Sequence, residues 1–219
     1  MKRIEYISFE EFQKIYKSCS DKKLKLALTL GFGSGLRISE IIGLRKRLSK
    51  CCKADIEMKR VEVMGKKLKR YYCSKCKSET TYNKMLFSKT EWQIPPLTKD
   101  KVNLQTHQIR LDLAKGGKWR VTVTPPNLTQ TAVDLLPLKI PRRTLQYQFD
   151  QLTKKVLKKK MSFHILRHGF GNYQANVSKL PLPIVQQMMG HTRLDTTGIY
   201  TKANPEEAIK MAWGAMGGK

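Results

Sequence analysis

A mainly α-helical α+β fold with a small antiparallel sheet is what this sequence predicts, on three observations. Apolar residues recur at helical spacing behind capping residues towards both ends of the chain. Two short central stretches alternate polar and apolar residues around a Lys/Gly turn. A cysteine- and lysine-rich stretch before them fits neither helix nor core strand.

Taken in order, Ser8 and Glu11 have capping-box spacing, and Phe9, Phe12, Ile15 and Tyr16 follow with helical period. A second apolar helix is predicted over about Lys22 to Phe32, ending in the turn Gly31-Phe32-Gly33-Ser34-Gly35. A third begins near Leu36, with Ile38, Ile41, Ile42 and Leu44 on its buried side and Arg37 in its first turn. In the centre, Ile109, Leu111 and Leu113 alternate with polar residues. After Lys115-Gly116-Gly117-Lys118, Trp119, Val121 and Val123 alternate again, which predicts a hairpin with a basic turn. Leu145, Phe149, Leu152 and Val156 share a helical face, and Ser162 is placed to cap a helix carrying His164 and Arg167. Pro183 to Met189 forms a short helix closed by Gly190. Asp195 caps the next segment, and Asn204-Pro205-Glu206-Glu207 opens a last helix through Trp213.

The 219 residues, 40% of them hydrophobic, are enough for a buried core. The 43 Lys and Arg against 17 Asp and Glu leave a net charge of +26, more than solubility requires, and imply a polyanionic partner, most simply double-stranded DNA. A ribosomal or membrane-surface protein is the alternative, but the basic residues here are interleaved with apolar ones instead of forming low-complexity tails. No run of about 18 apolar residues and no signal core after Met1-Lys2-Arg3 appears, so no membrane partner is expected and a cytoplasmic, nucleoid-associated location is.

Residues 48–96 read as a module of their own. Arg60-Val61-Glu62-Val63-Met64-Gly65-Lys66 alternates as a hairpin, and four of the five cysteines, Cys51, Cys52, Cys73 and Cys76, lie in this segment. Cys73-Ser74-Lys75-Cys76 presents two thiolates from one tight turn, and a second pair would complete a tetrahedral zinc centre. Adjacent Cys51 and Cys52 are an awkward pair, since neighbours in extended chain point opposite ways. A structural zinc ribbon is the expectation, with free thiols or a disulfide as the alternative. Lys66, Lys67, Lys69 and Arg70 beside it would let the module grip DNA.

Three clusters carry phosphate-handling chemistry. Gly35-Leu36-Arg37-Ile38-Ser39-Glu40 puts an arginine at a helix start. In His164-Ile165-Leu166-Arg167-His168 a histidine and an arginine three apart share a helical face, with the polar pair expected to look outward. Gly190-His191-Thr192-Arg193-Leu194-Asp195-Thr196-Thr197-Gly198-Ile199-Tyr200 places a histidine nine positions ahead of a tyrosine. In order and chemistry the three resemble the catalytic domain of the tyrosine site-specific recombinases, the phage integrase family, over roughly residues 5 to 47 and 97 to 213. The segment between would be an insertion.

The resemblance implies roles. Arg37 and Arg167 would clamp the scissile phosphate, with Glu40 supporting the scaffold. Lys115, preferred over Lys118, would protonate the leaving 5′ oxygen. His164 would be the base, His191 would hydrogen-bond the phosphate, and Tyr200 would be the nucleophile that forms a 3′-phosphotyrosine. No organic cofactor or ATP is then required, and a tetramer on DNA, in a mobile element, is the expected working form. The family's N-terminal DNA-binding domain has no counterpart here, so residues 1–219 read as a catalytic domain alone, either a fragment or a short enzyme. Gly169, Gly171 and Asn172 stand where the family has better helix formers, so a looser helix is expected after His168. The alternatives are a type IB topoisomerase, which shares the chemistry, and a zinc-ribbon DNA-binding protein without catalysis.

Overall fold

The computed structural model describes residues 6–80, 85–112 and 119–190. Lys115, His191, Tyr200 and the helices predicted to start at Asp195 and Asn204 lie outside the described residues.

The helical layer is built as its caps dictate. In α1 (Phe9–Ser18) the Glu11 amide donates to Ser8 Oγ at 3.2 Å and the Ser8 amide donates back to Glu11 Oε2 at 3.1 Å. The helix turns Phe12 and Ile15 into the core. Asp21 caps α2 (Lys22–Gly33), its Oδ1 accepting from the Leu24 amide at 2.8 Å. From Leu26 to Phe32 every residue of α2 is buried, which makes it the central helix. Around it lie α5 (Arg142–Leu157), which buries Leu145 and Phe149, and α6 (His164–Asn172), which buries Ile165, Leu166 and Phe170. The short α4 (Gln130–Val133) and α7 (Leu182–Met189) complete the layer.

The glycine-rich stretch of α6 has a packing reason. A Cβ on Gly169 would stand 2.7 Å from a ring carbon of Phe32 and 2.8 Å from the Ile7 carbonyl oxygen, so only glycine lets α6 lie this close to α2. Beyond Asn172 the helix widens into a π turn over Tyr173–Val177, where its regular pitch relaxes. Ser162 is not the cap expected of it. The helix starts after Phe163, whose backbone is itself helical, without a side-chain cap, and Ser162 contributes only its carbonyl, which accepts from the Ile165 amide at 3.1 Å.

Three small antiparallel sheets accompany the helices. The third helix predicted from Leu36 is shorter than expected: α3 (Ile38–Ile42) ends at Gly43, and Leu44 already opens β1 (Leu44–Ser49), which pairs with β5 (Met85–Ile94). The hairpin predicted in the cysteine-rich segment is longer than the alternation alone marked. It consists of β2 (Ile56–Val63) and β3 (Lys66–Cys73), paired without interruption and joined at Met64 and Gly65, both at positive φ, with β4 (Glu79–Thr80) on β3.

The third sheet orders β6 (Val102–Asn103), β7 (Gln108–Leu111) and β8 (Arg120–Val123). Strand β7 buries Ile109 and Leu111. Strand β8 buries its polar set, Arg120 and Thr122, and leaves Trp119 70% exposed. Both residues find partners: Thr122 Oγ1 donates to the Ser34 carbonyl at 2.8 Å, and Arg120 Nη2 reaches Glu40, although Arg120 Nε has no hydrogen-bond partner. Among the described residues no helix is long and apolar enough to cross a membrane.

Candidate active site and thiol cluster

The first arginine cluster is organised by one buried carboxylate. Glu40, 1% exposed on α3, accepts from the Arg37 amide at 2.7 Å through Oε2 and from Arg37 Nη1 at 2.8 Å through Oε1. Its Oε2 also accepts from Arg120 Nη2 at 2.7 Å. The Arg37 side chain remains 18% exposed, whereas Arg120 is 4% exposed. Burial alone would raise the Glu40 pKa, but the charges of Arg120, Arg37 and Arg167 and the Arg37 amide outweigh it, and the carboxyl is held below its ordinary value. One carboxylate facing three guanidinium groups leaves positive charge in surplus, which is what binding an anion in a partly dry site requires.

The second cluster divides between the interior and the surface. Arg167, 1% exposed, donates from Nη1 to the Gly35 carbonyl at 2.5 Å and from Nη2 to the Met189 carbonyl. Only part of the pair therefore looks outward, because the helix end at Met189 and the turn at Gly35 supply acceptors that draw the arginine in. His164 is the exposed member, and its ring meets that of His168 edge to face at 4.6 Å. Arg120 Nη1 donates to the Met188 carbonyl, so two buried arginines hold consecutive carbonyls at the end of α7. There Gly190 turns the chain at φ +62, and a Cβ on it would come 2.6 Å from Arg120 Cδ.

Arg37 and Arg167 both lie close enough to Glu40 for their charges to lower its pKa. His164 lies close enough to Arg37 and Arg167 for their charges to shift its pKa. Lys115, His191 and Tyr200 lie outside the described residues; the described chain resumes at Trp119 before β8, and α7 ends at Met189, short of His191. Sequence reasoning missed Arg120. An arginine between Trp119 and Val121 looks like an outward strand position, and its only signal is that Glu40 needs a partner eighty positions away.

His164 also predicts a pH dependence. Its pKa is lowered from 6.5 to about 4, first by desolvation and then by the positive charges of His168, Arg167 and Arg37. As pH falls through 6.5 the unfolded chain takes up the proton before the folded one, so stability is lost between 6.5 and about 4 and no further below. The ring's exposed side lets solvent screen these charges and keeps the loss modest. His164→Gln is expected to flatten that part of the urea-midpoint curve against pH; a curve parallel to the wild type's would contradict the assignment.

The four cysteines converge. Their Sγ atoms all lie within 4.8 Å of one another, with Cys51 and Cys76 at 3.4 Å. The awkwardness of adjacent Cys51 and Cys52 disappears because they occupy a tight turn, closed by the Lys53 amide donating to the Ser49 carbonyl at 3.0 Å with Lys53 at φ +50. Cys73 and Cys76 occupy a matching turn, in which the Lys77 amide donates to the Cys73 carbonyl at 2.9 Å. Ser49 Oγ donates to Cys73 Sγ at 3.1 Å, a supporting contact that sequence reasoning did not find, and this bond with the Cys76 amide lowers the Cys73 pKa to about 6. Hydrogen bonding with Cys76 pushes Cys52 up to about 12. A tetrahedral zinc with Zn–S near 2.3 Å needs sulfurs roughly 3.8 Å apart, so the cluster fits that ion.

A basic chain with an arginine-lined, carboxylate-braced cluster on a mainly helical α+β fold has the charge to receive an anion. More narrowly, residues 5–207 match the phage integrase family, and the chain belongs to that family. It is 26% identical over 200 residues to a tyrosine recombinase XerC from Pediococcus pentosaceus, which covers 90% of this chain and 56% of the relative. Over 211 residues it is 25% identical to a XerC-like tyrosine recombinase from Caldanaerobacter subterraneus, covering 93% and 52%. The chain thus spans about half the length of these curated relatives. In fold it is similar to XerA recombinase, with a TM-score of 0.56 at 18% identity over 99% of this chain and 66% of that one. It is likewise similar to the catalytic domain of bacteriophage HP1 integrase, with a TM-score of 0.53 at 14% identity over 96% of both chains. The integrase of transposon Tn1549, solved in complex with circular intermediate DNA, gives 0.54 at 14% identity, over 97% of this chain and 65% of that one.

Proposed function

We propose that this chain is the catalytic part of a site-specific DNA recombinase that cuts and rejoins double-stranded DNA through a 3′-phosphotyrosine. The observation that carries the reading is the surplus of guanidinium groups around Glu40, with Arg37 partly exposed at its edge, in a member of the phage integrase family.

In this reading Arg37 and Arg167 neutralise the non-bridging oxygens of the phosphodiester as charge builds on them. The Tyr200 oxygen attacks phosphorus, the bond from phosphorus to the 5′ oxygen breaks, and His164, neutral at physiological pH, takes the tyrosine proton. Lys115 gives a proton to the departing 5′ oxygen, and His191 hydrogen-bonds the phosphate. The phosphotyrosine keeps the bond energy, so a second 5′ hydroxyl reverses the step on another strand without ATP. Exchange between two sites calls for a tetramer on DNA, and the cut sites would be those of a mobile element in the nucleoid. Residues 48–96 are read as an insertion into the catalytic domain whose four thiols hold a structural zinc; bound there, the ion would tie the two cysteine turns together and take no part in cleavage.

The test is covalent capture. With nicked suicide duplexes bearing candidate sites, the wild type is expected to give a protein–DNA adduct stable on a denaturing gel, and Tyr200→Phe none. An adduct that persists in Tyr200→Phe would overturn the assignment of the nucleophile.

A further inference from the structure

The β2–β3 ribbon carries a charge arrangement that the cleavage site does not use. Lys59, Arg60, Lys66, Lys67 and Lys69 are all exposed, and none has an ion pair among the described residues. Of the nearby carboxylates, Glu57 accepts from Lys77 at 2.8 Å and Glu79 accepts from Arg70 at 2.8 and 2.9 Å, while Glu62 stands directly across from Lys67; Lys59 Nζ lies 5.5 Å from the Tyr72 ring centroid. The register sets cation opposite cation, Lys59 across from Arg70 and Arg60 across from Lys69. Like charges directly opposite weaken a strand pair, and this one is extended only by the two-residue β4. The unbound ribbon is therefore less stable than simple substitutions would make it, and a polyanion laid along it would relieve the repulsion.

We propose that the β2–β3 ribbon is a DNA-binding arm whose exposed cations neutralise backbone phosphates away from the phosphodiester that is cut. The choice of DNA as occupant rests on the recombinase reading. Residues directly opposite share a face, so Arg60, Lys69 and Lys67 line one side while Lys59 and Lys66 lie on the other. Cations on both faces suit a ribbon that lies in a groove between two phosphate walls better than one resting flat on a single strand. At the tip, Met64 is 97% exposed on the turn with Gly65, so among the described residues nothing covers the leading edge.

The experiment compares full-length Tyr200→Phe, which binds without cutting, with the same chain carrying Arg60→Gln and Lys69→Gln. Binding to a random-sequence duplex is followed by fluorescence anisotropy from 50 to 200 mM salt. Loss of two phosphate contacts is expected to make the log–log salt slope shallower by about 2. Thermal melting should not fall, because the substitutions remove a repulsion. An unchanged slope, or binding of the ribbon to phosphatidylserine vesicles with the DNA slope unchanged, would overturn the proposal. The recombinase reading fails separately: a shallower slope with no suicide-substrate adduct in the wild type leaves the arm standing, and an adduct with an unchanged slope removes only the arm.

Discussion

Arg120→Met is expected to lower folding stability by about 3–5 kcal/mol, the usual cost of removing one partner from a buried ion pair. The side chain is 4% exposed, and its loss leaves Glu40, at 1%, without its buried Arg120 partner and the Met188 carbonyl without its donor. Equilibrium urea unfolding measures it, and a loss under about 1 kcal/mol would show that the pair contributes little. Replacing both partners by apolar residues separates stability from chemistry. Arg120→Met with Glu40→Met is expected to recover much of the stability, since a well-packed apolar pair often equals a buried ion pair. It should not recover adduct formation, because Arg37 keeps neither of its bonds to the Glu40 carboxylate.

The second large effect lies in the cysteine-rich segment. The purified chain is expected to carry one zinc, and Cys73→Ser to carry little or none. Structural zinc in finger-sized units has apparent binding free energies of about 10–16 kcal/mol, far above what a small sheet such as β2–β3–β4 supplies by itself. Chelation should accordingly abolish hydrogen-exchange protection in β2, β3 and β4 while the core around α2 stays protected, since its packing involves none of those strands. Metal-free protein with an intact ribbon would refute the zinc assignment.

How much of this was legible in the sequence follows from how local each signal is. The cap at Ser8, the period of α5 and the Gly190 stop act within a few residues, and the elements formed there. The pairing of β1 with β5 gave no local sign, because Leu44-Arg45-Lys46-Arg47 reads as a charged continuation of α3 and its partner is more than thirty residues on. The inward turn of Arg167 and the burial of Arg120 depend on acceptors at Met188 and Met189, which no periodicity reveals. The thiol cluster was visible as composition, but the turn that lets Cys51 and Cys52 face one centre was not.

The arginine clasp on α7 also fixes when the site exists. Arg167 is 132 residues from Gly35 in sequence, and Arg120 is 80 from Glu40 and 68 from Met188. On the ribosome the helices of the first half can pack early, but the clasp closes only after Met189 has left the exit tunnel. Until then Arg167 lacks its Met189 acceptor and the arginine cluster around Glu40 has no far wall, so a nascent chain is a folded scaffold whose last brace has yet to arrive.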